Sequence, residues 1–487
     1  MTLEALLTFF GILVAILAIV RPVQRRSLGL FAPAWRLIVA IILSFVFIVW
    51  RDAPYGVNPP YGWSLSEVMF GLTVGAFLVP VLAALWSWVS WARAKLTDRR
   101  IGHVENIFRA ALREREFDEV ERIVRNNQGR LQRLPVGAAT VLFSPAMVAA
   151  LVDSHSLLHL ELLADMEFLK SLENRLDAVD VVVRELLQSA VSPLRSAVVS
   201  TYGGLEHLKP SDLEKVLVEK TFQNPEWYYE ANAHYPLAIS AVEALRSGKL
   251  DTDYNGVGRD YETNQGISKR AHCPVNLAIK TEVLAIQAAL EKQVENDFYV
   301  SDLWDVFRLV QERSMFKAAV WESPLANFEH PTPFAYLLYD ISADLEDLSG
   351  EAVVAACKAA PQHARPPGQV AQALAVTWSL CVWSIADSEN QVSPEFRNRI
   401  LRQYLVFMLK VGWQPREICL ALNTNDVKGL DVWRDLFLEE LKKRFTPTNS
   451  LRIAALKNAA GSLDHGKSYV IDGYAWLMKE LFDENQN

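Results

Sequence analysis

The apolar positions of this chain fall into two regimes: unbroken runs in the first hundred residues and helix-spaced stripes in the rest. Leu3 to Val20 is an 18-residue run with one charge, Glu4, near its start. At about 1.5 Å per residue it reaches about 27 Å, close to the roughly 30 Å of a bilayer's hydrocarbon core. The run "LIVAIILSFVFIVW", Leu37 to Trp50, is shorter, and Pro33 to Trp35 lengthen it if Arg36 extends toward the headgroups. Val68 to Val89 is the longest, with Pro80 as an expected kink that neighbouring helices can accommodate. The pattern predicts a membrane region over residues 1–100 with transmembrane helices at about 3–20, 33–50 and 66–90.

Beyond residue 100 the period changes to that of amphipathic helices. Val104, Ile107, Phe108, Ala111 and Leu112 form one stripe, and Phe117, Val120, Ile123 and Val124 a second after the "RERE" corner. The same spacing recurs in Phe396, Ile400, Tyr404, Met408 and Val411, in Leu430, Trp433, Phe437 and Leu441, and in Tyr474, Leu477, Met478, Leu481 and Phe482. Helix starts are punctuated by a cap residue before Pro, at Ser144-Pro145, Ser192-Pro193, Asn224-Pro225, Ser323-Pro324 and Ser393-Pro394. Strand-like alternation is nowhere sustained. The expected fold is all-α: a three-helix transmembrane region and a large multi-helix body, solenoid-like but irregular. Its parts are a helical lobe at 101–250, an acidic Asn/Gly-rich loop at 251–273 and a second lobe at 274–487. The phrase "ALREREFDEVERIV" resembles the corner of a tetratricopeptide hairpin, over this one hairpin and without recurrence. The apolar stretch Gly368 to Ile385 is interrupted by Gln369, Gln372, Thr377 and Ser384 and reads as a core helix rather than a fourth span.

Charge orients the membrane region. The first loop carries Arg21, Arg25, Arg26 and Arg36 with no acid, and the third span is followed by Arg93, Lys95, Arg99 and Arg100. Both belong on the cytoplasmic side, which puts the N-terminus outside and the body in the cytoplasm of a multi-pass plasma (inner) membrane protein. Met1 to Leu7 holds no Lys or Arg, so a cleaved signal peptide is disfavoured. Removing the nine basic and four acidic residues of the first hundred from the chain's 49 and 57 leaves 40 and 53, a net charge of −13 on the body. That excludes nucleic acid as a general partner. The four cysteines, Cys273, Cys357, Cys381 and Cys419, form no CxxC pair and read as reduced structural thiols.

Four short patterns raise chemistry. "GSLDHGKS" places Gly461, Gly466, Lys467 and Ser468 at phosphate-loop spacing, but the preceding "SLRIAALKNAA" has helical periodicity where such a loop needs a strand, so the match reads as fortuitous and no nucleotide is expected. "DTDYNGVGRDYE" places Asp251, Asp253, Asn255 and Glu262 at calcium-loop positions 1, 3, 5 and 12, with Gly256 at the sharp turn. Ca²⁺ is the one cofactor the sequence suggests, against an acidic linker as the plain alternative. Gly71 and Gly75 form GxxxG in the third span, a spacing that lets helix backbones approach closely in lipid. His155 and His159 are four apart, with no third ligand signalled.

No catalytic signature anchors a reaction, and the enzyme question leans to no. The expected role is a membrane-anchored, non-catalytic helical adaptor or sensor that contacts the bilayer and a cytoplasmic protein. The alternative is a homo-oligomeric membrane effector or pore gated by the body, an architecture recurrent in bacterial stress and phage defence. An enzyme without a sequence signature is the further alternative.

Overall fold

The computed structural model describes residues 11, 21–31, 39–44, 46, 49, 64–93, 95–202, 210–248, 273–294, 300–313, 333–360, 363–387, 392–414, 428–446 and 449–482. Among them every regular element is helical, and the one β-type pairing is an isolated bridge between His363 and Lys428. The protein is all-α. It divides into two compact units, Met1–Ala178 and Val179–Asn487.

In the first unit, α1 (Pro22–Phe31) occupies the arginine-rich loop and α2 (Leu65–Arg93) the third apolar run. Val23, Ser27 and Phe31, four residues apart, are fully buried, while Arg25 and Arg26 on the other face are exposed. Residues 22–31 of the loop therefore form an amphipathic helix, which packs on α2 and on the hairpin α3 (Val104–Glu114) and α4 (Asp118–Arg125). The hairpin buries Val104, Ile107, Phe108 and Ala111 from one helix and Val120, Ile123 and Val124 from the other. Its corner is held by Arg115 in the left-handed region (φ 57°), whose amide donates to the Ala111 carbonyl.

Helix α2 is long and apolar enough to cross a membrane, and only 7% of its most apolar window is buried within the protein. Phe70, Leu82 and Trp86 are 72%, 59% and 65% exposed. In the second run Val39, Ile42, Leu43, Val46 and Val49 are likewise exposed, while Ala40 and Ser44 are buried. Apolar surface on this scale is what lipid, or another apolar helix, covers.

In the second unit, α5 (His234–Arg246), α6 (Pro274–Glu291), α7 (Asp302–Arg313), α8 (Pro333–Ala359), α9 (Gln369–Ala386), α10 (Pro394–Trp413), α11 (Leu430–Arg444), α12 (Ser450–Gly461) and α13 (Ser468–Phe482) pack round one core. Trp378 of α9 lies at its centre, fully buried, with Tyr404 and Phe407 of α10 at 4.7 and 5.2 Å and Phe437 of α11 at 6.2 Å between ring centroids. Its indole N–H donates to Ser342 Oγ on α8, and the Tyr404 hydroxyl donates to the Phe437 carbonyl at 2.8 Å. Aromatic edges that also satisfy their polar tips tie four helices into one cluster. Helix α9 is also long and apolar enough to span, but 61% of its window is buried by other parts of the protein. Gly473 lets α13 approach α10: a Cβ there would sit 2.5 Å from Leu409 and 2.8 Å from Trp413. The helices on either side of the Asn/Gly-rich segment, α5 and α6, pack against each other.

Helices start at Pro145, Pro193, Pro225 and Pro394 as the cap-Pro pairs predict, while Ser323-Pro324 lies outside the described residues. Ser393 Oγ accepts from the Phe396 amide and Asn224 Oδ1 from the Glu226 amide. Ser144 makes no such bond.

Candidate functional site

In the first unit a group of polar interactions gathers at the C-terminal end of α2, where a helix leaves its last carbonyls without internal partners. Arg122 of α4 reaches this end. Its guanidinium stacks 4.3 Å from the Trp91 ring centroid and donates to the Trp91 carbonyl, to Ser27 Oγ of α1 at 2.8 Å and to the Glu119 carboxylate. Trp91 Nε1 donates to the same Ser27 oxygen at 3.1 Å. Phe31 closes the node, with Arg122 and Arg100 at 6.0 and 5.8 Å from its ring centroid. Ser27 and Phe31 are fully buried and Glu119 is 3% exposed.

The following residues extend the fastening. Asn126, four residues after Arg122 and on the same helical face, donates to the Ala92 carbonyl at 2.9 Å. Buried Asn127 accepts from the Leu96 amide at 2.7 Å, and Arg130 donates to the Leu96 carbonyl. Backbone groups on both sides of the exit from α2 are thus held by side chains from one short stretch, Arg122 to Arg130. A guanidinium suits this position because its planar fork supplies several donors while its face stacks on an indole, which Lys cannot reproduce. The arrangement fixes α2 and α1 to the hairpin, so a displacement of one is shared by the others. Sequence reading missed Ser27, Trp91, Glu119 and Arg122 as a group because 95 residues separate the first from the last. The available signal was the four-residue spacing of Val23, Ser27 and Phe31, which marks a helix inside a loop.

The sequence-suggested sites fall elsewhere. Gly71 and Gly75 both lie on α2, and a Cβ at Gly71 would meet nothing within 4 Å. The phosphate-loop letters straddle a turn: α12 ends at Gly461, α13 begins at Ser468, and the Gly466 amide is taken by the Asp464 carboxylate at 2.9 Å. A carboxylate thus occupies an amide that a phosphate would need, and what precedes the turn is a helix. Exposed His155 (φ 60°) sits in a turn, whereas His159 is buried with Nε2 2.9 Å from the Leu142 carbonyl. Burial outweighs that carbonyl and lowers the His159 pKa to about 4, so the ring is neutral and structural. Asp251, Asp253, Asn255 and Glu262 lie outside the described residues, as does Cys419. Cys273, Cys357 and Cys381 are buried and form no disulfide.

The second unit has a polar interior of its own. Lys280 of α6 donates to both oxygens of Asp344 of α8 at 2.6 Å, yet burial still pushes the Asp344 carboxyl up to about 6. Two residues along α6, Glu282 is 2% exposed and its Oε1 has no hydrogen-bond partner. Burial, and then the charge of Asp302, push its carboxyl well above the usual range. Asp302 in turn lies 2.9 Å from His234 Nδ1. Among the described residues, no group of three or more His, Cys, Asp or Glu side chains is arranged to hold a metal ion. What the cluster can do is hold a proton.

Two expected outcomes follow. Arg122→Ala leaves Glu119 buried without its partner, a loss of about 3–5 kcal/mol; thermal unfolding in mild detergent should show a lowered midpoint, and adding Glu119→Gln should recover part of it. An unchanged midpoint would mean that the node holds nothing together. Glu282 binds its proton more tightly folded than unfolded, so the stability it supplies below about 4.5 is lost as pH rises toward its folded value. Glu282→Gln should therefore raise the unfolding midpoint more at pH 7.5 than at pH 5, and an equal effect at both would contradict the raised carboxyl. No protein-family model, no curated protein and no solved structure matches this chain.

Proposed function

We propose that this chain is a membrane-anchored helical adaptor or sensor without a reaction of its own, whose body docks a cytoplasmic protein. The observation that carries the reading is the Arg122 node, which fastens an apolar, lipid-suited helix to α1 and the following hairpin through buried, specific contacts rather than through a slack linker. An anchor needs only a tether, and a stiff joint suits a protein in which the state of one side is felt on the other.

In this reading three helices cross the inner (plasma) membrane, the N-terminus lies outside, and the body is an irregular stack of helices in the cytoplasm. Support comes from α1, which lies between the first two apolar runs and packs against both α2 and the hairpin that follows it. The first loop and the hairpin then share a face of the membrane. Arg25, Arg26, Arg93 and Lys95 are all exposed there, as cytoplasmic flanks are.

A second reading has one specific observation in its favour. The open space beside Gly71 leaves a small-residue face of α2 free for another helix, as in an oligomeric membrane effector or pore gated by the body. The mass of the full-length protein in mild detergent separates the two. The adaptor reading expects one copy of the chain with a stoichiometric cytoplasmic protein, unaffected by joint substitution of Gly71 and Gly75 by Leu. A homo-oligomer of defined size that those substitutions dissociate would replace it with the effector reading.

A further inference from the structure

In the second unit, the C-terminal halves of α6 and α8 and the start of α9 line an open groove of about 130 Å³. One wall is apolar and smooth because Ala352, Ala355, Ala356 and Ala359 recur at helical spacing along α8, and Trp433 of α11 forms another side. The opposite end is polar and positive. Residues Gly368 to Ala371 line it, and they form the N-terminus of an 18-residue helix whose first internal bond is donated by the Gln372 amide. Gly368 stands at the cap position and offers no side chain to the amides that follow. Arg365 is the one charged side chain among the lining residues, and none of them is acidic. Arg365 is held at the rim from two directions: its Nη1 donates to Gln293 Oε1 at 3.1 Å, and its carbonyl accepts from Trp433 Nε1 at 2.8 Å.

Size and charge together select the occupant. An apolar cavity of about 150 Å³ holds one benzene ring. Here a groove of similar volume, open on one side, ends at a guanidinium and a helix N-terminus, both of which favour a negative charge. We propose that this groove is a binding site for a small monocarboxylate with an apolar body about the size of a single ring, its ring or short chain against the alanine wall and Trp433 and its carboxylate toward Arg365 and the α9 amides. The proposal stands apart from the membrane reading, because every lining residue belongs to the second unit. It supplies a sensor with a class of stimulus.

The test uses the full-length protein in mild detergent, with benzoate as probe and benzamide as its neutral counterpart, binding being read by calorimetry. Benzoate should bind saturably and roughly ten- to a hundredfold more tightly than benzamide, the ratio expected when charge-assisted hydrogen bonds are lost. Arg365→Gln should reduce the preference by a similar factor. Ala355→Leu fills the groove and should abolish binding while leaving the unfolding midpoint unchanged or raised. Absence of saturable benzoate binding would overturn the proposal. So would equal affinity for benzamide, or undiminished binding in both variants.

Discussion

The first unit depends on how the end of a long, exposed apolar helix is joined to the amphipathic helices that follow it. An α-helix that leaves a bilayer exposes its last carbonyls where the hydrocarbon ends, and these need donors. Here the donors are protein side chains. Arg122 and Asn126 cover Trp91 and Ala92, and Asn127 and Arg130 hold Leu96. Because Arg122 also binds Ser27 and is neutralised by Glu119, the same contact recruits α1 and carries its charge into a buried place. Capping, docking and charge pairing are thus one arrangement, and a change in any partner is felt by three helices.

The second unit solves a different problem, that of giving many helices a single core. Trp378 and the rings of Tyr404, Phe407 and Phe437 supply bulk at the centre, and their polar tips bond to Ser342 and the Phe437 carbonyl. Away from that centre, α6 and α8 accept costly groups. Lys280 and Asp344 offset each other's burial, while burial pushes the Glu282 carboxyl well above its usual range. The alanines at the far end of α8 leave space where larger residues would have packed.

Much of this was legible from periodicity. The stripes at Val104 to Ala111, Val120 to Val124 and Phe396 to Val411 are buried faces of helices, and the cap-Pro pairs mark helix starts. Those signals are local, since 3.6-residue periodicity and capping act within a turn or two. The Arg122 node is not local. Its members come from three segments, read separately as a charged loop, the end of the third apolar run and the second helix of a hairpin, and tertiary packing alone brings them together. The arginine-rich loop shows the limit most plainly: its charges spoke for orientation and hid the Val23, Ser27, Phe31 face that makes it a helix. The alanine-walled groove was equally hidden, because small residues at helical spacing give the same pattern whether a neighbour fills the gap or not.

In the proposed topology α2 crosses the membrane and α1 emerges on the same, cytoplasmic side as the hairpin. Single cysteines at Ser64, at one end of α2, and at Arg25 and Lys95, beside the node, test it with a membrane-impermeant maleimide on intact cells, the unsubstituted protein giving the background. The account predicts labelling of Ser64→Cys from outside, and of Arg25→Cys and Lys95→Cys only after permeabilisation. Labelling of Ser64→Cys and Lys95→Cys from the same side, or of Arg25→Cys and Lys95→Cys from opposite sides, would contradict it.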